Sequence, residues 1–156
     1  MDSITHDIET FQNLVPLGDE ASMVLKAHLI LEESLWKFLS ARLPDSLIKE
    51  FRDENSPVSS GKALIQLAQA VASRDELPIS NEAVVWEALY KTNTLRNKLA
   101  HELDPERKKV VNLMNAIYKI VSREEPGEEP SKDFYYAILL LVGYLAIDRQ
   151  PATMAD

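Results

Sequence analysis

The sequence predicts an all-α fold, an up-and-down helical bundle of about five main helices. Three observations carry that prediction. Apolar residues recur at helical spacing in nearly every segment. The strict apolar–polar alternation of strands is absent. Seven of the eight Pro residues fall outside the periodic segments, and the eighth, Pro105, at the first position of one.

Taken in order, residues 2–15 read as a minor amphipathic helix. Asp2 or Ser3 caps it, and Ile4, Ile8, Phe11 and Val15 form its stripe. Pro16, Leu17 and Gly18 end it. A long helix opens at Asp19 or Glu20, passes through Met23, Val24, Ala27, Ile30, Leu31, Leu35, Phe38 and Leu39, and is stopped by Pro44. A short helix covers 45–53, with Leu47, Ile48 and Phe51 on one side. Asn55-Ser56-Pro57 is a loop. A helix over 60–73 carries Leu64, Ile65, Leu67, Ala68 and Val71. Residues 75–80 connect it to a helix over 81–103, capped by Ser80 or Asn81. Asp104-Pro105 breaks that helix, and Pro105 suits the first position of the next, 105–123. Residues 124–130 are an acidic exposed loop, 132–149 the last helix, and 150–156 a frayed tail.

The 156 residues suit a single domain over 1–156, and 46% apolar content is enough to bury a core. The absence of Cys excludes disulfides, thiolate metal sites and a Cys nucleophile, and fits a reducing compartment. Three scattered His offer no metal-ligand spacing, so no metal or other cofactor is expected. The four Gly are isolated, which excludes a glycine-rich phosphate loop, and no Ser nucleophile elbow is present. No basic-then-apolar leader opens the chain, and the longest apolar stretch, 137–147, falls short of the roughly 20 residues of a membrane span. A soluble, cytoplasmic protein without membrane contact is the expectation. The formal net charge of −8 argues against a broad nucleic-acid-binding face, so any RNA contact has to be a local basic pocket.

The helix over 81–103 is the informative one. Projected at about 100° per residue from Val84, its core face centres near about 70°, with Val84, Val85, Ala88, Leu95, Leu99 and Leu103. A second stripe near about 220° holds Trp86, Tyr90, Asn93, Asn97 and His101. Two large aromatics beside two amides fit a partner surface, making Trp86, Tyr90 and Asn93 dimer-interface candidates. Packing of Trp86 and Tyr90 against another helix of the same chain is the other reading. Arg96 and His101 flank Asn97 on the projection. On spacing alone, a surface ion pair and a helix-end His account for them.

The run Leu95-Arg96-Asn97-Lys98-Leu99-Ala100-His101-Glu102-Leu103 resembles the R-x(4–6)-H motif of the HEPN superfamily, including the polar residue directly after Arg. The segment His28-Leu29-Ile30-Leu31-Glu32-Glu33-Ser34-Leu35 resembles the first long helix of those domains. The resemblance spans roughly residues 19–149. It implies a helical bundle that forms a homodimer, with Arg and His of both subunits lining one cleft that cuts RNA without a metal. Carried over, the catalytic residues are Arg96, Asn97 and His101. The chemistry is coherent. An imidazole can take a proton from a ribose 2′-hydroxyl or give one to the leaving oxygen. A guanidinium forks onto the phosphate whose charge builds. Asn97 lies one turn before His101 and can orient it.

Other charged groups are supporting candidates. Glu33 is taken as the acidic residue that supports the site in some members, against a plain solvated helix face. Lys98, Arg107, Lys108 and Lys109 are RNA-contact candidates, or else favourable charges near helix ends. His28 reads as a packed histidine. The last helix is apolar almost all round, so it is either central in the bundle or shared with a second subunit. Two functions are therefore expected to compete. One is a metal-independent endoribonuclease of toxin or phage-defence kind, with RNA as substrate, no DNA, and an antitoxin or other protein partner. The other is a non-catalytic HEPN-like interaction or regulatory module.

Overall fold

The structure, a computed structural model, describes residues 20–102 and 106–148. These residues form α1 (Glu20–Ser40), α2 (Asp45–Arg52), α3 (Gly61–Arg74), a 3-10 turn (Pro78–Asn81), α4 (Ala83–His101), α5 (Arg107–Ser122) and α6 (Pro130–Ile147). No strand occurs among the described residues. The predicted helix over 2–15, the break at residues 104 and 105 and the tail over 150–156 lie outside them.

Four helices close a ring. α1 packs on α4 and α6, and α5 packs on α4 and α6. α3 lies outside this ring against α1 and α4, and α2 lies against α1. The core is built from Met23, Val24, Phe38, Leu39, Leu64, Leu95, Met114, Ile117, Phe134 and Leu141, all fully buried. Each helix contributes apolar residues three and four apart, which is why the arrangement is legible locally. No helix among the described residues is long and apolar enough to cross a membrane.

Three boundaries differ from the sequence reading. The predicted Ser80 or Asn81 cap is not used. Pro78 instead opens the 3-10 turn, and α4 starts at Ala83 without a side-chain cap. Pro130, read as loop, is in the first turn of α6, where its missing N–H costs no helical bond. α1 ends at Ser40, short of Pro44; backbone bonds from Arg42 and Leu43 to the Leu39 carbonyl close the turn.

Long-range polar contacts fix the ends of the ring. Arg107 grips Glu20 through both guanidinium nitrogens, and Ser131 donates to the same carboxylate at 3.2 Å. The first turns of α1, α5 and α6 are thereby joined. The Arg107 hydrogen bond holds the Glu20 carboxyl below its ordinary value, outweighing partial burial. At the other end, the Asp148 carboxylate accepts the Ile79 N–H at 2.9 Å and its carbonyl accepts from Arg42 at 2.9 Å.

Candidate functional site

α4 is packed from more sides than its apolar pattern suggested. Its buried residues are Val85, Trp86, Ala88, Leu89, Thr92, Asn93 and Leu95. On the helical projection these cover about 180°, because α1, α3 and α5 all lie against α4. This corrects the reading of Trp86 and Asn93 as interface residues, since both are buried within their own chain. The Trp86 indole N–H donates to the Ile79 carbonyl at 2.9 Å. Tyr90 is half-buried and donates its hydroxyl to Gln69 of α3 at 2.8 Å. The Trp86 and Tyr90 part of the stripe is thus taken up by the 3-10 turn and α3.

The carboxy-terminal turns of α4 carry the motif, and they divide it between two faces. Asn97 and His101 are exposed. They open into a groove between α4 and α5 of about 590 Å³, together with Thr94, Lys98, Lys109 and Asn112. Arg96 is half-buried and does not line this groove. Its charge helps to lower the Glu32 carboxyl of α1. Asn97 connects the two, because its Oδ1 accepts from Arg96 Nη1 at 3.1 Å while the residue also lines the groove. The division follows from the helix: residues five apart sit about 140° apart around the axis.

The Arg96 side meets a polar cluster at the junction of α1, α3 and α4. His28, 6% exposed, donates through Nε2 to Glu32 Oε1 at 2.8 Å. The same oxygen accepts the Gly61 N–H at 2.9 Å, which satisfies one free donor at the start of α3. Burial alone would raise the Glu32 carboxyl. The hydrogen bonds from His28 and Gly61 and the charges of His28 and Arg96 outweigh it, and the group is held below its ordinary value. Gly61 has φ +66°, and a Cβ there would meet Asn93 Oδ1 at 3.6 Å, ordinary contact. The positive φ rather than space favours glycine. Asn93 Oδ1 is itself buried without a hydrogen-bond partner.

Glu33 is not part of this cluster. It is exposed and accepts from Arg52 of α2 at 2.9 Å, and that guanidinium lies 5.4 Å from the Trp36 ring centroid. The carboxyl on which the Arg96 charge acts is Glu32, one residue and about 100° earlier. The His28–Glu32 spacing of four was a readable sign of this pairing. Asn112 and Thr94 had no sequence signal.

The basic candidates also separate. Lys98 and Lys109 line the groove, each with an acidic neighbour: Glu102 lies 2.7 Å from Lys98 and Glu106 lies 3.5 Å from Lys109. Lys108 is exposed on α5. Arg107 is paired with Glu20 at the start of α1. A larger cleft, about 710 Å³, lies between α2 and the 53–58 loop and contains no His or Arg. The groove can therefore present an imidazole, two ammonium groups and three amide or hydroxyl groups, with the Glu102 carboxylate also in its wall. No family model, curated protein or solved structure matches the chain.

Proposed function

We propose that this chain is a metal-independent endoribonuclease of HEPN type, of toxin or phage-defence kind, acting as a homodimer. The observation that supports it is the meeting of His101 and Asn97 with Lys98, Lys109 and Asn112 in one open groove. His101 moves the proton, first from the 2′-hydroxyl and then to the 5′-oxygen leaving group. Arg96 carries the phosphate charge, held in place by Asn97 and backed by Glu32. The exposed strip of α4, with Thr94, Asn97, Ala100 and His101, is the surface on which a second copy brings its own Arg and His into one cleft. Such doubling supplies the local positive charge that an acidic chain lacks.

The test is cleavage of a mixed RNA in EDTA by wild type and His101→Ala. Cleavage by wild type alone is expected. Equal cleavage by both proteins would remove His101 from the chemistry.

One observation favours a second reading, a non-catalytic interaction module. Within one chain Arg96 lies outside the groove that His101 lines, and the groove ammonium groups have carboxylate neighbours. Expression toxicity abolished by His101→Ala favours the nuclease; harmless expression of wild type favours the module.

A further inference from the structure

The α4–α5 groove contains a group that phosphate binding alone does not explain. Among the described residues that line it, Glu102 alone carries a carboxylate. Glu102 directly follows the last residue of α4, and its N–H donates to the Lys98 carbonyl at 3.0 Å. A carboxylate there meets the negative end of the helix dipole. A Lys placed four residues before a Glu is also the weaker order for such a pair. Local helix energetics thus disfavour an acid at this position, and its charge opposes an approaching phosphate. The carboxylate is nonetheless set against a groove cation, with Glu102 Oε1 2.7 Å from Lys98 Nζ. Of the two side chains, that of Glu102 is the more open, 46% exposed against 18%.

We propose that Glu102 is a specificity residue, which makes the groove choose ribose over deoxyribose by accepting a hydrogen bond from a 2′-hydroxyl. This rests on the reading that an RNA strand lies in the groove, and adds the group that tells RNA from DNA. The 2′-hydroxyl and the 3′-phosphate of a ribonucleotide stand on neighbouring carbons, so a donor lies beside an anionic acceptor. Lys98 and Glu102 offer the reverse, an ammonium beside a carboxylate. Lys98 takes the phosphate. The carboxylate has lone pairs beyond those used on Lys98, and these take the hydroxyl. A deoxynucleotide brings the phosphate without the hydroxyl, and leaves the carboxylate facing an anion with nothing to offset it. One residue therefore attracts RNA and repels DNA, and both effects widen the difference in affinity. His101 keeps the 2′-hydroxyl of the nucleotide that is cut. The contact with Glu102 belongs to a neighbouring nucleotide.

Glu102 is exposed, so its variants keep the fold. Binding is read by fluorescence anisotropy in a His101→Ala parent, which leaves RNA uncut. The probes are a short single-stranded RNA, the same sequence with 2′-fluoro riboses, and the same sequence as DNA. The 2′-fluoro strand keeps an RNA-like sugar pucker and lacks the O–H donor. The parent is expected to bind RNA on the order of tenfold more tightly than either analogue, the size expected of a hydrogen bond to a charged group. Glu102→Leu should remove most of that preference, chiefly by tightening the two analogues. Glu102→Gln keeps an acceptor without the charge and should retain part of it.

An unchanged preference in Glu102→Leu overturns the proposal. An equal gain for all three probes does so too, and makes Glu102 only a counter-charge on Lys98. If wild type cuts mixed RNA and the parent shows no preference for ribose, the proposal falls and the nuclease reading stands. Preference for ribose without cleavage upholds the Glu102 contact and removes the nuclease. If wild type cuts nothing and the parent binds none of the probes, both fall.

Discussion

Glu32 Oε1 accepts two hydrogen bonds at once, from His28 Nε2 at 2.8 Å and from the Gly61 N–H at 2.9 Å. One carboxylate thus joins a buried histidine on its own helix to the first turn of α3, with Arg96 of α4 near enough to feel its charge. The hydrogen bond that Arg96 makes is local, to Asn97, while the carboxyl its charge lowers comes from another helix.

Glu32→Ala leaves two donors without an acceptor, of which the His28 imidazole is buried. At about 1–3 kcal/mol for a buried unsatisfied group, the expected loss is about 2–4 kcal/mol, read from urea unfolding. Glu32→Gln keeps an acceptor and should lose less. The pH dependence has a defined sign. Glu32 ionises more readily folded than unfolded, so its contribution is present above its ordinary value of 4.5 and is lost as pH falls through the lower, folded value. Glu20 acts in the same direction through Arg107. Wild type should therefore lose stability below about pH 4.5 more steeply than Glu32→Gln. Parallel acid curves for the two proteins would mean that Glu32 gains nothing from these bonds.

Trp86 is 2% exposed, packed under α3 and tied to Ile79. Trp86→Ala should cost about 3–5 kcal/mol through cavity formation. Trp86→Phe should cost about 1–2 kcal/mol, chiefly the stranded Ile79 carbonyl. Both losses should be independent of protein concentration. A stability loss that appears only on dilution would return Trp86 to a subunit interface.

Lys109 and Arg107 are two residues apart in sequence, yet only Lys109 lines the groove. If RNA lies there, Lys109→Ala should weaken binding across sequences and reduce the salt slope by about 0.7, the value for one phosphate contact on a single strand. Arg107→Ala should leave that slope unchanged, because its guanidinium is turned to Glu20. Fluorescence anisotropy over a salt series measures both. Equal effects from the two variants would place the strand on the α5 surface instead.

The sequence by itself determined the helical class and the order of the helices, but not all of their ends. Those properties follow from apolar spacing and from proline, which act within a turn or two. It also singled out α4 and the pair Arg96 and His101. Tertiary structure decided which way those side chains work. Three helices around α4 widened its buried arc past Trp86 and Asn93, which an apolar count along the helix could not register because neither position is decided by local spacing. A step of about 100° separated Glu33, on Arg52, from Glu32, beside Arg96. The same step left Arg96 outside the groove that His101 lines. Periodicity fixes how residues are placed relative to one another on a helix; only the neighbouring helices fix which of those faces meets protein and which meets solvent.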